Sequence, residues 1–315
     1  MSKKEEKVAE VVVTEAEVVN EDETAVAVQQ ETAPASNGLG NLGTVGGPVV
    51  LDWSWIHLKF EMSKKRPDAN QGEFFLGREW ETKLCDKGGN IGVGQAPKPN
   101  QRFQFVIVGR LDGYKHYVTQ AEFNAGIMPK RYFVDATKQT GWSDARKAAL
   151  EAGETLEGWR DGDPSKGEPP RVGPSATPFM QLKVLVKKPE NCDAGEENFC
   201  VALDGEFYAP AILEFDKLNW EKAYKIVDMA VRAELVKQRQ DPTHKPSLLD
   251  KVFWGFSSAV ERPGRNGAPS KVVTTPMMMR AVENGTPVVL SKAAVEDIQA
   301  LVSGAASGPV SDEAF

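Results

Sequence analysis

Arg102-Phe103-Gln104-Phe105-Val106-Ile107-Val108-Gly109-Arg110 is the clearest strand in the chain, rich in aromatic and β-branched residues. Immediately after it, Leu111-Asp112-Gly113-Tyr114 carries an Asp-Gly turn signal before Lys115-His116-Tyr117-Val118, so an antiparallel hairpin is expected here. Toward the C-terminus, Ser143 caps a short helix over 143–152 that ends at Gly153, and the Gly- and Pro-rich 161–178 reads as a long surface excursion. Phe179 to Val186 is a further strand, with Met180, Leu182, Val184 and Val186 on one face. Phe199 to Leu203 and Glu206 to Phe215 flank Asp204-Gly205, a second hairpin signal of the same chemistry.

Trp220, Ala223, Tyr224, Val227, Ala230, Val231 and Leu235 then recur at helical spacing, which predicts a main helix over 219–239 whose apolar stripe must cover a sheet. Pro242, Pro246 and Pro263 punctuate a stretch expected to be loop-rich around Phe253, Trp254 and Phe256, and Ser291 caps a last helix reaching Val302. On the N-terminal side, Val50, Trp53, Trp55, Leu58 and Phe60 mark a strand within 49–62. A polar loop over 63–72 follows, then a second aromatic strand running through Phe74, Phe75 and Trp80 to Leu84. Gly88-Gly89-Asn90-Ile91-Gly92-Val93-Gly94 has the composition of a nucleotide-binding loop but not its spacing, and Pro97 and Pro99 stop a helix from starting there.

These elements define an α+β, mostly β protein: an elaborated OB-like antiparallel barrel or sheet with one long covering helix and disordered N- and C-terminal tails. Three segments are expected: 1–48 as an acidic disordered tail with a Gly-rich linker, 49–290 as the β-rich domain, and 291–315 as a short helix with a flexible acidic tail.

The net charge of −7 is unevenly placed. Residues 1–50 hold three lysines against nine acids, leaving 35 basic and 36 acidic residues in 51–315, so the body is nearly neutral and local basic clusters decide what it attracts. No run of about 18 apolar residues is present, and the first 30 residues lack the apolar core of a secretory signal; no membrane association and a cytoplasmic location are expected. Three cysteines, Cys85, Cys192 and Cys200, are too sparse for a disulfide scaffold and fit a reducing compartment.

Signatures of catalysis are missing: no nucleophile elbow, no phosphate-binding loop with its Lys-Ser/Thr pair, no His-Glu-x-x-His helix. His57, His116 and His244 stand apart from any cysteine pair at zinc spacing, so no metal and no cofactor is expected, and the chain reads as a non-enzyme.

Aromatic and basic residues interleave along the strands and their loops. Trp53 and Trp55 precede Lys64, Lys65 and Arg66; Arg78 shares a strand with Trp80; Arg102 opens the Phe103-Phe105 strand. Arg110, Tyr114, Lys115 and Tyr117 occupy the expected hairpin, and Lys130-Arg131-Tyr132 forms a further basic loop. Single-stranded nucleic acid is held by this mixture, cations tracking the phosphates while rings stack on bases. The competing reading is that strand aromatics are core residues and the flanking lysines protect sheet edges.

After the last helix, the chain runs Ser303-Gly304-Ala305-Ala306-Ser307-Gly308-Pro309-Val310-Ser311-Asp312-Glu313-Ala314-Phe315. This resembles the tail of bacterial and phage single-stranded DNA-binding proteins, in which a disordered segment finishes in acids and a C-terminal Phe. Two acids are present and Ala314 stands where that family usually has Pro. The resemblance implies single-stranded DNA as ligand, a role in phage DNA replication, recombination or repair, and recruitment of replication or repair proteins through the tail. In that role Phe315 is the anchor and Asp312 and Glu313 its charge partners. A phage-encoded protein would act in the host cytoplasm, and a homo-oligomer is compatible with this reading. The alternatives are a virion or scaffold component without catalytic activity and an enzyme whose acids are assembled only by the fold.

Overall fold

Apolar side chains at alternate positions on long strands need two faces to bury them, and the chain supplies a helix for each. The computed structural model describes residues 51–59, 65–89, 95–118, 127, 129–135, 143–158, 160–163, 165, 171–192, 194–262 and 271–304. The expected hairpin at Asp112-Gly113 is absent: β4 is one continuous strand, Arg102–His116. Gly113 serves close approach instead, because the neighbouring β5 (Arg131–Asp135) pairs Phe133 with it, and a Cβ there would lie 2.0 Å from the Tyr132 carbonyl oxygen. β8 (Ala176–Lys187) pairs antiparallel with β4 from Phe105 to His116, with a bulge between Ile107 and Gly109.

At Asp204-Gly205 the same dipeptide does turn, both residues having positive φ (51° and 79°), and it joins β9 (Val201–Leu203) to β10 (Glu206–Asp216). β1 (Ser54–Leu58) pairs parallel with β10 and antiparallel with β2 (Phe74–Leu76). The second aromatic strand expected through 74–84 is broken in two: Gly77 (φ 97°) and Trp80 (φ 60°) turn the chain between β2 and β3 (Thr82–Cys85). Within the expected surface excursion, β6 (Arg160–Asp161) and β7 (Arg171–Val172) form a two-residue ladder before β8 begins.

The stretch around Phe253, Trp254 and Phe256 is not loop. It is β11 (Val252–Arg262), hydrogen-bonded to β12 (Lys271–Arg280) and to β4. Pro242 and Pro246 precede β11, and Pro276 lies in β12 at the end of the sheet, where a missing N–H costs no ladder bond. β13 (Val282–Glu283) and β14 (Thr286–Pro287) close a small exposed hairpin.

Three helices complete the described residues: α1 (Ser143–Glu151), α2 (Lys217–Gln240) and α3 (Lys292–Gly304). Ser291 caps α3, its Oγ accepting the Ala294 N–H at 3.1 Å. The main sheet runs β12-β11-β4-β8-β10-β1-β2-β3, with β5 added to β4 and β9 to β10. The class is α+β and mostly β, with a sheet that curls into a half-barrel.

One face of the sheet buries Phe105, Leu182, Val184, Leu213 and Phe253 against Ala223 and Val227 of α2. On the opposite face Val106, Leu185, Val252 and Trp254 pack against Ala294, Ile298 and Leu301 of α3, so the long helix is not the only cover. Each large side chain buried this way contributes about 1.5–3 kcal/mol. The C-terminal end of α2 is tied to the sheet by Glu234, whose buried carboxylate receives Lys251 at 2.7 Å, His244 at 2.7 Å and Lys237 at 2.8 Å.

The sheet bends differently along its two diagonals. On the α2 side the Phe74 ring meets Phe103 at 5.2 Å, although β2 and β4 are four steps apart in the strand order. On the other side the Arg131 guanidinium lies 5.5 Å from the centre of the Trp55 ring, although β5 and β1 are also four steps apart. Four steps of a flat sheet would span about 19 Å. The second bend folds β5 over β1 and brings Arg131 against Trp55.

Candidate nucleic-acid interface

Alternate residues of a strand share a face, so Trp53 and Trp55 lie on the same side of the chain at β1 as His57. Trp53 and Trp55 are half-buried, and each carries a cation over its ring: Lys183 of β8 lies 5.5 Å from the Trp53 centroid and Arg131 of β5 5.5 Å from that of Trp55. Register places Gln181 and Lys183 of β8, and Ile212 and Glu214 of β10, on this same face. The concave face between β1 and β5 is a trough, closed where the Arg131 guanidinium meets the Trp55 ring, with Glu214 against Arg131.

Glu214 gathers the cations. Its Oε1 receives Lys115 Nζ at 2.5 Å and its Oε2 receives Arg131 Nε at 3.4 Å, while Asp216 lies 3.6 Å from Lys115. The three side chains are largely buried, Arg131 at 8%, Glu214 at 12% and Lys115 at 17% exposure, so little water screens them and the carboxylate offsets the cost of desolvating its partners. Beside them Phe133 is 48% exposed, its ring edge-on to the fully buried Phe179 at 5.6 Å.

Of the residues expected from sequence, Trp55, Lys115 and Arg131 therefore meet in one place, while Trp53 lies on the same face with one side packed against the α3 core. A second group, Lys65, Arg66, Arg78 and Trp80, gathers around β2 and β3. Lys65 Nζ donates to the Arg78 carbonyl at 2.8 Å, and Arg66 donates to the Trp80 carbonyl at 3.0 Å and lies 4.9 Å over the Phe75 ring. Arg78 is exposed. Trp80 is interior at 7% exposure, stacked between His57 at 5.1 Å and Phe75 at 5.7 Å, so its ring is taken up by the fold. Burial, reinforced by the Lys65 charge, pushes the His57 imidazole down to about 4, and its Nε2 has no hydrogen-bond partner among the described residues.

The remaining residues lie elsewhere. Tyr114 and Tyr132 pack against Ala149, Leu156 and Ala176 beside α1. The Tyr132 hydroxyl donates to Glu154 at 3.0 Å, and burial together with that carboxylate raises its phenol to about 12. Tyr117 and Lys130 are exposed near the same end of β4. Arg110 pairs with Asp112 at 2.6 Å beneath Tyr224 of α2. Arg102 lies 3.5 Å over the Trp254 ring. Lys64 and the tail residues Asp312, Glu313 and Phe315 lie outside the described residues.

Lys183, Glu214 and Phe133 were not singled out in the sequence, although the signal for the first two was present. With Met180, Leu182 and Val184 assigned inward, strand period places Gln181 and Lys183 on the other face, and the same alternation applies to Glu214 in β10. Among the described residues no cluster of His, Cys, Asp or Glu is arranged to hold a metal ion, and no helix is long and apolar enough to cross a membrane. Comparison of the chain with protein-family models, curated proteins and solved structures returns no match.

Proposed function

We propose that the protein binds single-stranded DNA without sequence preference, using the trough between β1 and β5, and acts in phage DNA replication, recombination or repair without catalysing a reaction itself. The observation that carries this reading is the pairing of cation and ring on one sheet face, Lys183 with Trp53 and Arg131 with Trp55. Rings that are half-exposed beside cations suit a ligand with flat bases and a charged backbone. The curled sheet supports an OB-like use of the fold, in which one strand face and its loops receive the ligand. The exposed Lys130, next to Arg131 in the chain, adds a further cation beside it. In this proposal the acidic tail ending in Phe315 recruits replication or repair proteins.

Gel shift of the purified protein with labelled single strands, duplex and RNA tests it. Retardation of single strands at low salt that weakens steeply as salt rises supports the proposal. Absence of any shift at low salt overturns it and favours a virion or scaffold role. That second reading has its own support in Glu214 and Asp216, which already neutralise Lys115 and Arg131.

A further inference from the structure

We infer that Phe133, Lys115 and Arg131 form a single nucleotide subsite, in which the Phe133 ring takes a base and the two cations exchange the Glu214 carboxylate for a phosphate. This rests on the proposal of single-strand binding and assigns which residues of the trough perform it.

Phe133 has the geometry of a stacking platform. It stands on β5 with 48% of its surface in solvent, and the buried Phe179 ring braces it edge-on at 5.6 Å and 78°. Its cross-strand neighbour is Gly113, which has no side chain to cover the flank of the ring. The next residue on the same face of β5 is Arg131, about 6.6 Å away along the strand, and Arg131 is paired in register with Lys115. An aromatic surface and two cations therefore lie within one nucleotide's reach.

The anion half of the subsite already holds an anion. Lys115 and Arg131 converge from two strands on the two oxygens of Glu214, at 2.5 and 3.4 Å, an arrangement that two phosphate oxygens satisfy equally. Glu214 keeps these buried cations compensated while the site is empty and competes with phosphate for them when a strand arrives. An internal competitor of this kind accounts for how a nearly neutral body presents a cationic site without a basic surface.

The test is a fluorescence anisotropy titration of the full chain with two labelled strands of equal length, one of oligothymidylate and one abasic. The wild type is expected to bind the thymidylate strand more tightly than the abasic one. Phe133→Ala should lower thymidylate affinity roughly ten-fold and leave abasic affinity unchanged, and Phe133→Trp should restore it. Glu214→Gln should tighten both strands several-fold; Asp216→Asn, which removes the more exposed acid near Lys115, should do so to a smaller extent and serves if Glu214→Gln unfolds. Unchanged thymidylate affinity in Phe133→Ala, an equal loss on both strands, or no tightening in either acid variant overturns the subsite while leaving single-strand binding in place. A wild type that binds neither strand overturns both.

Discussion

The Arg131 guanidinium lies 5.5 Å from the centre of the Trp55 ring, joining strands that are four steps apart in the sheet order. The contact reports the curl that makes the trough, because β5 and β1 are not neighbours in the sheet. It predicts energetic coupling. In a double-mutant cycle of Trp55→Ala and Arg131→Ala followed by urea unfolding, the two losses should be non-additive by about 0.5–2 kcal/mol. Additive losses would mean that the ring and cation do not interact in solution.

The approach of β5 to β4 depends on Gly113. A methyl group there meets the Tyr132 carbonyl at 2.0 Å, whereas one on Gly89 meets nothing within 4 Å. Gly113→Ala should therefore destabilise the fold by about 1–3 kcal/mol, as overpacking does, and Gly89→Ala should change stability far less. Equal midpoints in denaturant for the two variants would contradict the β4–β5 register.

Two groups give the acid limb of stability separate windows. Burial opposes charge on Glu234, but hydrogen bonds from Lys237, Lys251 and His244 outweigh it and hold the carboxyl down to about 2, below its ordinary 4.5. Its contribution is complete above pH 4.5 and is lost as pH falls from there toward about 2. His57 is depressed chiefly by burial, from 6.5 to about 4. The unfolded chain binds that proton first, so this contribution is complete above pH 6.5 and is lost as pH falls toward about 4. Glu234→Gln should flatten stability in the lower window and His57→Phe in the upper one, as measured by denaturant unfolding across pH.

Much of the scaffold was legible because it follows from local patterns. Ser143 with Gly153, the stripe from Trp220 to Leu235, and Ser291 marked three helices, and Asp204-Gly205 marked a true turn. Asp112-Gly113 did not, because whether a glycine turns or admits a neighbouring strand is decided by a partner distant in sequence, here Tyr132. β11 was obscured by prolines that lie outside it. The site was legible only in residue type. Trp55, Lys115 and Arg131 share the trough, yet Trp53 leans on the α3 core, Trp80 is buried, and Tyr114 and Tyr132 pack partly buried beside α1, because sequence alternation does not tell which face of a sheet is later covered by a helix or curled closed.

The C-terminal tail offers a prediction independent of the trough. Deleting the last four residues, Asp312 to Phe315, should leave oligonucleotide affinity intact or raise it while abolishing pull-down of a replication partner. Unchanged partner recovery would count against the tail's role.

The most direct test of the trough is the affinity of a Trp53→Ala/Trp55→Ala double variant for oligothymidylate at fixed low salt, compared with wild type by anisotropy. A fall of roughly ten-fold or more, from the loss of stacking contributions of about 1–3 kcal/mol per base, with the salt dependence unchanged, is the predicted result. Wild-type affinity in the double variant, with its fold intact by circular dichroism, would contradict the account.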